Sequence, residues 1–431
     1  MYFCNEPSDR PNCPAPGKAF QRESSLRRLT LGPSPSVMGF FNFVKSLGHS
    51  GARSGVLSDA SREQVSAHTL GDEFPTEAKF FGLENFGNTC YCNSVLQALY
   101  ACEPFRERLI EHNVERARGG AASTSGVKRF MSSSAPESML QALGDLFQEI
   151  SSQTKRTGYL APKAFIERLR KDNVLFRGHM HQDAHEFLNF LLNECCENLE
   201  SELKRAGEWE PGKKTWIHDV FEGKLANQTR CLWCENTTNR EECFLDLSVD
   251  VAQNTSITAC LNNFSAKELL DKNDKFQCDR CGGLHEAQKR MLIQSAPRVL
   301  SLHLKRFKYI ETLGRHAKLN HRVVFSSELK IPNLVDEAEH PDASYDLFAV
   351  VVHIGSGPNH GHYVCFSKNN NRWFLFDDDC VEVVDEEQLH RVFGSTTEAG
   401  GAGSEHGYML FFARNEDTDD AAEEGIPFTM Q

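Results

Sequence analysis

Asn85-Phe86-Gly87-Asn88-Thr89-Cys90-Tyr91-Cys92-Asn93-Ser94, running on into Val95, Leu96, Gln97, Ala98 and Leu99, is the stretch that decides how this chain is built. Its first half is turn chemistry, because Gly and Asn tolerate positive φ and tight bends. Its second half carries apolar residues at 95, 96 and 99, the spacing of one helix face. Cys90 therefore stands where a turn feeds a helix N-terminus. Such a terminus favours negative charge, and so favours thiolate over thiol. Asn85 lies just upstream, where its amide can donate to a developing oxyanion at the same point. On this stretch alone a small buried cysteine is an equally good reading. A nucleophile needs a base, and the base needs an orienter.

Working outward, the base is sought among the histidines of Gly355-Ser356-Gly357-Pro358-Asn359-His360-Gly361-His362. This glycine-rich segment leads into the strand-like run Tyr363 to Ser367, the polar turn Lys368-Asn369-Asn370-Asn371, and a second strand-like run from Arg372 to Phe376. A two-residue turn centred between Asn369 and Asn370 sets His362 opposite Asp377, with Cβ atoms about 5 Å apart. The carboxylate would fix the imidazole tautomer and stabilise its charged form. Asp377 is the expected orienter and Asp378 its substitute; a solvated acidic strand end is the plainer reading. His360 competes with His362. His303 sits mid-strand in Pro297 to Phe307, with no glycine-rich approach for a substrate.

Three separated motifs resemble, in order, those of the ubiquitin-specific proteases, papain-like enzymes that cut after the C-terminal Gly of ubiquitin. Asn85 to Ser94 is similar to the family's cysteine box. Gln182-Asp183-Ala184-His185-Glu186-Phe187 is similar to a second box, and Gly361-His362-Tyr363 with Trp373 to Asp377 to the histidine box. The resemblance runs from about Phe80 to Arg414 and is nearest to the small members activated by WD40-repeat propeller proteins. It implies an α+β papain-like fold with a helical thumb, zinc-bearing β fingers and a β palm. It puts the base directly before Tyr363, hence His362, and makes Asn85 an oxyanion donor. It implies that Gln182 and Asp183 bond to the extended ubiquitin tail, or to the catalytic lobe, besides capping a helix. A protease cutting after Gly-Gly needs close backbone approach, which Gly361 permits. Cys92 departs from the family, where a larger apolar residue is usual.

Two further pairs, Cys231-Leu232-Trp233-Cys234 and Cys278-Asp279-Arg280-Cys281, can each set two thiolates about 3.5 to 4 Å apart, as tetrahedral zinc requires. They match the family's fingers and predict one structural Zn2+ with no open position. The 43 residues between the pairs predict an intervening β-hairpin.

The chain has 431 residues, 40% hydrophobic, with a net charge of −13. That balance argues against non-specific nucleic-acid binding and suits a basic partner; ubiquitin's tail carries arginines. No run reaches the roughly 18 apolar residues of a membrane span. Fifteen Cys without a secretion signal read as reduced thiols and metal ligands. Localisation is expected in the cytoplasm, with the nucleus also open. The expected organisation is a disordered extension over 1–78, a thumb over 79–215 with an insertion at 116–136, fingers over 216–296, a palm over 297–414 and an acidic tail over 415–431. Within the extension, Met38 to Val44 is an aromatic patch read as a short buried or partner-binding segment. Trp216 to Phe221 is read as strand. The expected function is hydrolysis of the bond after ubiquitin's terminal Gly on protein substrates; the rival is a weakly active ubiquitin-binding scaffold of the same fold.

Overall fold

The computed structural model describes residues 63–66, 70, 74, 77–121, 136–178, 180–358, 360–394 and 405–415. The turn residues behave as their chemistry dictates: Gly87 and Asn88 take φ of 79° and 60°. They deliver the chain into the helix Cys90–Ala101, whose residues from Cys90 to Leu99 are all buried. It is buried all round because helices cover one side and the large sheet the other. Against it packs Ala184–Ala206, which starts at Asp183, whose side chain accepts from the His185 and Glu186 amides. That helix ends at Gly207 in the left-handed region, as a C-terminal glycine allows. Phe187, Leu188, Leu191, Leu192, Cys195 and Leu199 form its buried stripe. Met139–Ser151 and Lys163–Asp172 complete the helical layer.

The palm is a nine-stranded sheet. From one edge it runs Glu63–Gln64, Cys380–Val384, Arg372–Asp377, His360–Asn369, Ser344–Gly357, Glu405–Arg414, Val299–Lys305 and Leu247–Asp250, with Glu328–Lys330 beside Ser344–Gly357. Only Leu247–Asp250 joins in parallel. One core lies between sheet and helices, the other on the sheet's far face. That is why Val299 to Leu304 is buried on both sides. The longer helices on one face of a largely antiparallel sheet make the α+β arrangement that was expected.

The fingers are a second sheet, Thr237–Phe244, Gly223–Cys231, Ala287–Ser295 and Glu268–Leu270, with a small ribbon Phe276–Cys278/Gly283–His285 at the tip. The segment between the cysteine pairs is not a lone hairpin. It leaves the fingers after Phe244, adds Leu247–Asp250 to the palm, forms the helix Ile257–Phe264, and returns through Glu268–Leu270. So the span 216–296 is shared between fingers and palm.

Other expectations need correcting. Trp216–Phe221 is a helix, capped reciprocally by Thr215 and His218. Its buried residues Ile217, Val220 and Phe221 have i, i+3, i+4 spacing, which is helical. Order begins before residue 79: Glu63–Gln64 pairs with the edge strand Cys380–Val384, and Val65, Leu70 and Phe74 are buried in the core. Phe74 meets Phe80 and Phe374 edge-on. In 116–136, the helix Glu103–Ala121 continues into the expected insertion, and 122–135 lie outside the described residues. So do Met38 to Val44, residues 395–404 and the tail from 416. No helix among the described residues is long and apolar enough to cross a membrane.

Candidate active site

Cys90 opens its helix and is 2% exposed. Facing it, on the strand His360–Asn369, is His362, near enough for the Cys90 side chain to raise its imidazole. His362 Nε2 lies 2.6 Å from Asp377 Oδ1 at the end of Arg372–Asp377. That leaves Nδ1 as the ring nitrogen for the thiol. Burial opposes a charge on His362, but the hydrogen bond to Asp377 and then the Cys90 side chain outweigh it and raise the imidazole to about 10. An imidazole so raised favours an ion pair with a thiolate.

The hairpin joining His362 to Asp377 differs from the expected one. Asn369 pairs with Arg372 and Cys365 with Phe376, so the turn is Asn370-Asn371, both with positive φ. His362 and Asp377 are diagonal neighbours rather than direct opposites. Moving a partner by two residues keeps its face, so the pair still meets.

Asp378 has a different place from the substitute orienter. It turns the chain with a left-handed φ of 50°. Its Oδ2 accepts from Asn85 Nδ2 at 2.8 Å and its Oδ1 from Asn93 Nδ2 at 2.8 Å. Its carbonyl accepts from the Leu83 amide at 2.7 Å. Burial pushes this carboxyl up, and the two amides pull it back. Gly82 makes the contact possible, since a Cβ there would sit 2.4 Å from the Asp379 backbone. Asn85 is held at both ends, its Oδ1 accepting from the Thr89 amide at 3.1 Å. Its Nδ2 keeps a second hydrogen beyond the one given to Asp378. Neither Asp378's grip on Asn85 nor the part of Asn93 was foreseen. The only signal was the unbroken run of three carboxylates after Phe376.

Asp183 joins helix to sheet: besides capping, its Oδ2 accepts from Tyr408 Oη at 2.5 Å. Gln182 beside it is half-buried. Gly361 has φ of 146°, and a Cβ there would lie 2.4 Å from the Ile354 oxygen, so no side chain fits. The glycine segment is the tip of a strand pair, bulged between Ile354 and Gly357, rather than a free loop. A cavity of about 320 Å³ is lined by Asp183, His185, Glu186, His303, Lys305, Phe307 and Tyr408. His303 stacks on His185 at 3.7 Å and bonds to Ser248, while His185 Nε2 meets Asp246 at 2.6 Å. Burial holds the His303 ring well below the usual histidine range, so it is neutral. His360 bonds to Ser356 at 3.1 Å. Cys92 is fully buried, which pushes its thiol well up.

At the fingers' tip the four sulfurs of Cys231, Cys234, Cys278 and Cys281 lie within 4.8 Å of one another. Cys234 and Cys278 are 3.7 Å apart, Cys231 and Cys281 4.0 Å. Four thiols at these separations fit one tetrahedral metal ion.

The family model described as "Ubiquitin carboxyl-terminal hydrolase" matches residues 81–412. Ubiquitin carboxyl-terminal hydrolase 4 of Arabidopsis thaliana is 51% identical over 366 residues, 80% of this chain and 95% of that protein. Ubiquitin carboxyl-terminal hydrolase 12 of Salmo salar is 46% identical over 357 residues, 79% and 91% of the two chains. Among solved structures, the SAGA Ubp8/Sgf11/Sus1/Sgf73 DUB module bound to ubiquitin aldehyde is similar with a TM-score of 0.62 and 26% identity, over 79% of this chain and 70% of that one. With a cysteine, a histidine and a carboxylate joined in one cleft under that family's motifs, the chain belongs to the ubiquitin carboxyl-terminal hydrolases, thiol-dependent deubiquitinating cysteine proteases.

Proposed function

We propose that the deubiquitinating chemistry runs through Cys90 as nucleophile, His362 as general base and acid, Asp377 as its orienter and Asn85 as oxyanion donor. The observation that carries this is the chain of contacts from Cys90 through His362 to Asp377, the last link 2.6 Å long. His362 takes the thiol proton, and the Cys90 thiolate attacks the carbonyl carbon after ubiquitin's terminal Gly. The free Nδ2 hydrogen of Asn85 and the Cys90 backbone N–H stabilise the oxyanion. As the tetrahedral adduct collapses, the carbon–nitrogen bond breaks and His362 passes its proton to the leaving lysine amine. A thioester remains on Cys90. Water, deprotonated by His362, then hydrolyses it and frees the thiol.

Ubiquitin's tail would run along the cleft past Gln182, Asp183 and Gly361. Asp183 and Glu186, with Lys305 as the one cation beside them, line a cavity whose two carboxylates suit a basic tail. The four fingers cysteines would hold one structural Zn2+, which supplies a cross-link between strand ends where little core exists. Activation by WD40-propeller proteins docking on the fingers, and a cytoplasmic or nuclear setting, belong to the same proposal. The test is hydrolysis of ubiquitin carrying a C-terminal aminomethylcoumarin. Wild type releases the fluorophore and Cys90→Ala does not; equal rates for the two would remove Cys90 from the reaction.

A further inference from the structure

The strand Arg315–Lys318 pairs with Phe307–Ile310, and its last residue, Lys318, stands opposite Phe307. Lys318 is only 7% exposed. Lysine is rarely so buried without a specific partner. Its Nζ donates to the carbonyl oxygens of His353 at 2.9 Å and Gly355 at 2.8 Å. Those two residues flank Ile354, the strand partner of His362. The ladder slips between Ile354 and Gly357, and a bulge is where strand pairing is weakest. Across the slip, a Cβ on Gly355 would lie 2.9 Å from the Gly361 Cα, and a Cβ on Gly361 2.5 Å from His353 Nε2. The amine thus grips the backbone against which Gly361 and His362 are packed.

We propose that Lys318 is a positioning residue for the catalytic base: its amine, bonded to the carbonyls of His353 and Gly355, holds the bulged strand pair in the shape that presents His362 to Cys90. This rests on Cys90 and His362 being nucleophile and base. The charged neighbours of the amine do not supply the same brace. Arg306, fully buried, donates instead to the carbonyls of Gly407, Leu319 and His321. Glu405 approaches from the next strand, and the His353 ring is held neutral by burial. Burial, then Arg306, bring the lysine down to about 7, with Glu405 opposing. An amine carries the two hydrogens those carbonyls need whether or not it is protonated. The clamp is therefore a matter of donors rather than charge, and it holds on both sides of neutral pH.

The experiment uses the full chain with Lys318→Met, which keeps the stem and removes the donors, and Lys318→Gln, which keeps an NH2 on a stem one atom shorter. Three readouts are taken: kcat and KM on ubiquitin–aminomethylcoumarin, the pH profile of Cys90 alkylation by iodoacetamide, and the melting temperature. Lys318→Met should lose ~10- to 100-fold in kcat with KM within about twofold, since a small displacement of a reacting group costs that much. Its alkylation profile should move to higher pH than that of wild type, since a displaced His362 no longer favours the thiolate. Lys318→Gln should fall between. A folded variant with wild-type kcat and an unmoved alkylation profile overturns the proposal, and so does a loss that only tracks the unfolded fraction. If Lys318→Met does not fold, Lys318→Gln is judged by the same criteria. Alkylation needs no ubiquitin. A wild type that cannot cleave the ubiquitin substrate therefore sinks the protease reading, while the shift in alkylation still tests the clamp.

Discussion

At the scale of single residues, His362 carries the pH dependence. Its folded value, about 10, lies above the ordinary 6.5, so any stability from its charged pairing is fully present below 6.5 and is lost as pH rises through about 10. Asp377 is the larger of the two side-chain partners that raise it, after burial has acted in the other direction. Asp377→Asn should therefore move the basic limb of the kcat/KM profile to lower pH, measured by hydrolysis rates across a pH series. An unmoved limb would mean that another group holds the imidazole charged. Asn85 bonds to Asp378 and Thr89 rather than to the base, so its loss should act on oxyanion stabilisation. Asn85→Ala should lower kcat by about 10²- to 10³-fold, or roughly 3 to 4 kcal/mol, with KM little changed. Asp378 holds the same amide at 2.8 Å. Its part could not be read from sequence, because Asn85 and Asp378 are 293 positions apart.

At the scale of elements, packing of the helix Ala184–Ala206 against the helix Cys90–Ala101 fixes where Cys90 sits. Phe187 is fully buried, with its ring 5.6 Å from Tyr91 and 5.7 Å from Phe176. Phe187→Ala should cost about 3 to 5 kcal/mol in denaturant unfolding. The fingers make a separate prediction. Cys231→Ser should abolish stoichiometric zinc, measured by elemental analysis, and lower the melting temperature, leaving the Cys90 alkylation profile in place. The helix Ala184–Ala206 was legible because its apolar stripe is long and Asp183 marks its start. Trp216–Phe221 was not, because six residues give too little period to separate helix from strand. The hairpin after His362 was legible in kind but off by one residue. Lys368 to Asn371 offers adjacent asparagine turns, and only the strand ladder decides between them.

At the scale of the whole molecule, the proposed reaction depends on two distant parts of the chain closing one cleft. Cysteine box, histidine box and metal pairs were all legible, since each is a local pattern with its own chemistry. What escaped was whatever only the assembled sheet creates: the two-residue strand Glu63–Gln64 on its edge, and the route of the segment between the cysteine pairs through the palm. Deleting residues 1–79 should lower the melting temperature, since it strips Val65, Leu70 and Phe74 from the core. Ubiquitin's C-terminus should meet the sulfur of Cys90. The most direct measurement is incubation of the full chain with ubiquitin bearing a C-terminal propargylamide, followed by mass spectrometry of the adduct. A single vinyl thioether should form on Cys90, absent from Cys90→Ala and greatly slowed in His362→Ala. An adduct on any other cysteine, or labelling that survives Cys90→Ala, would contradict it.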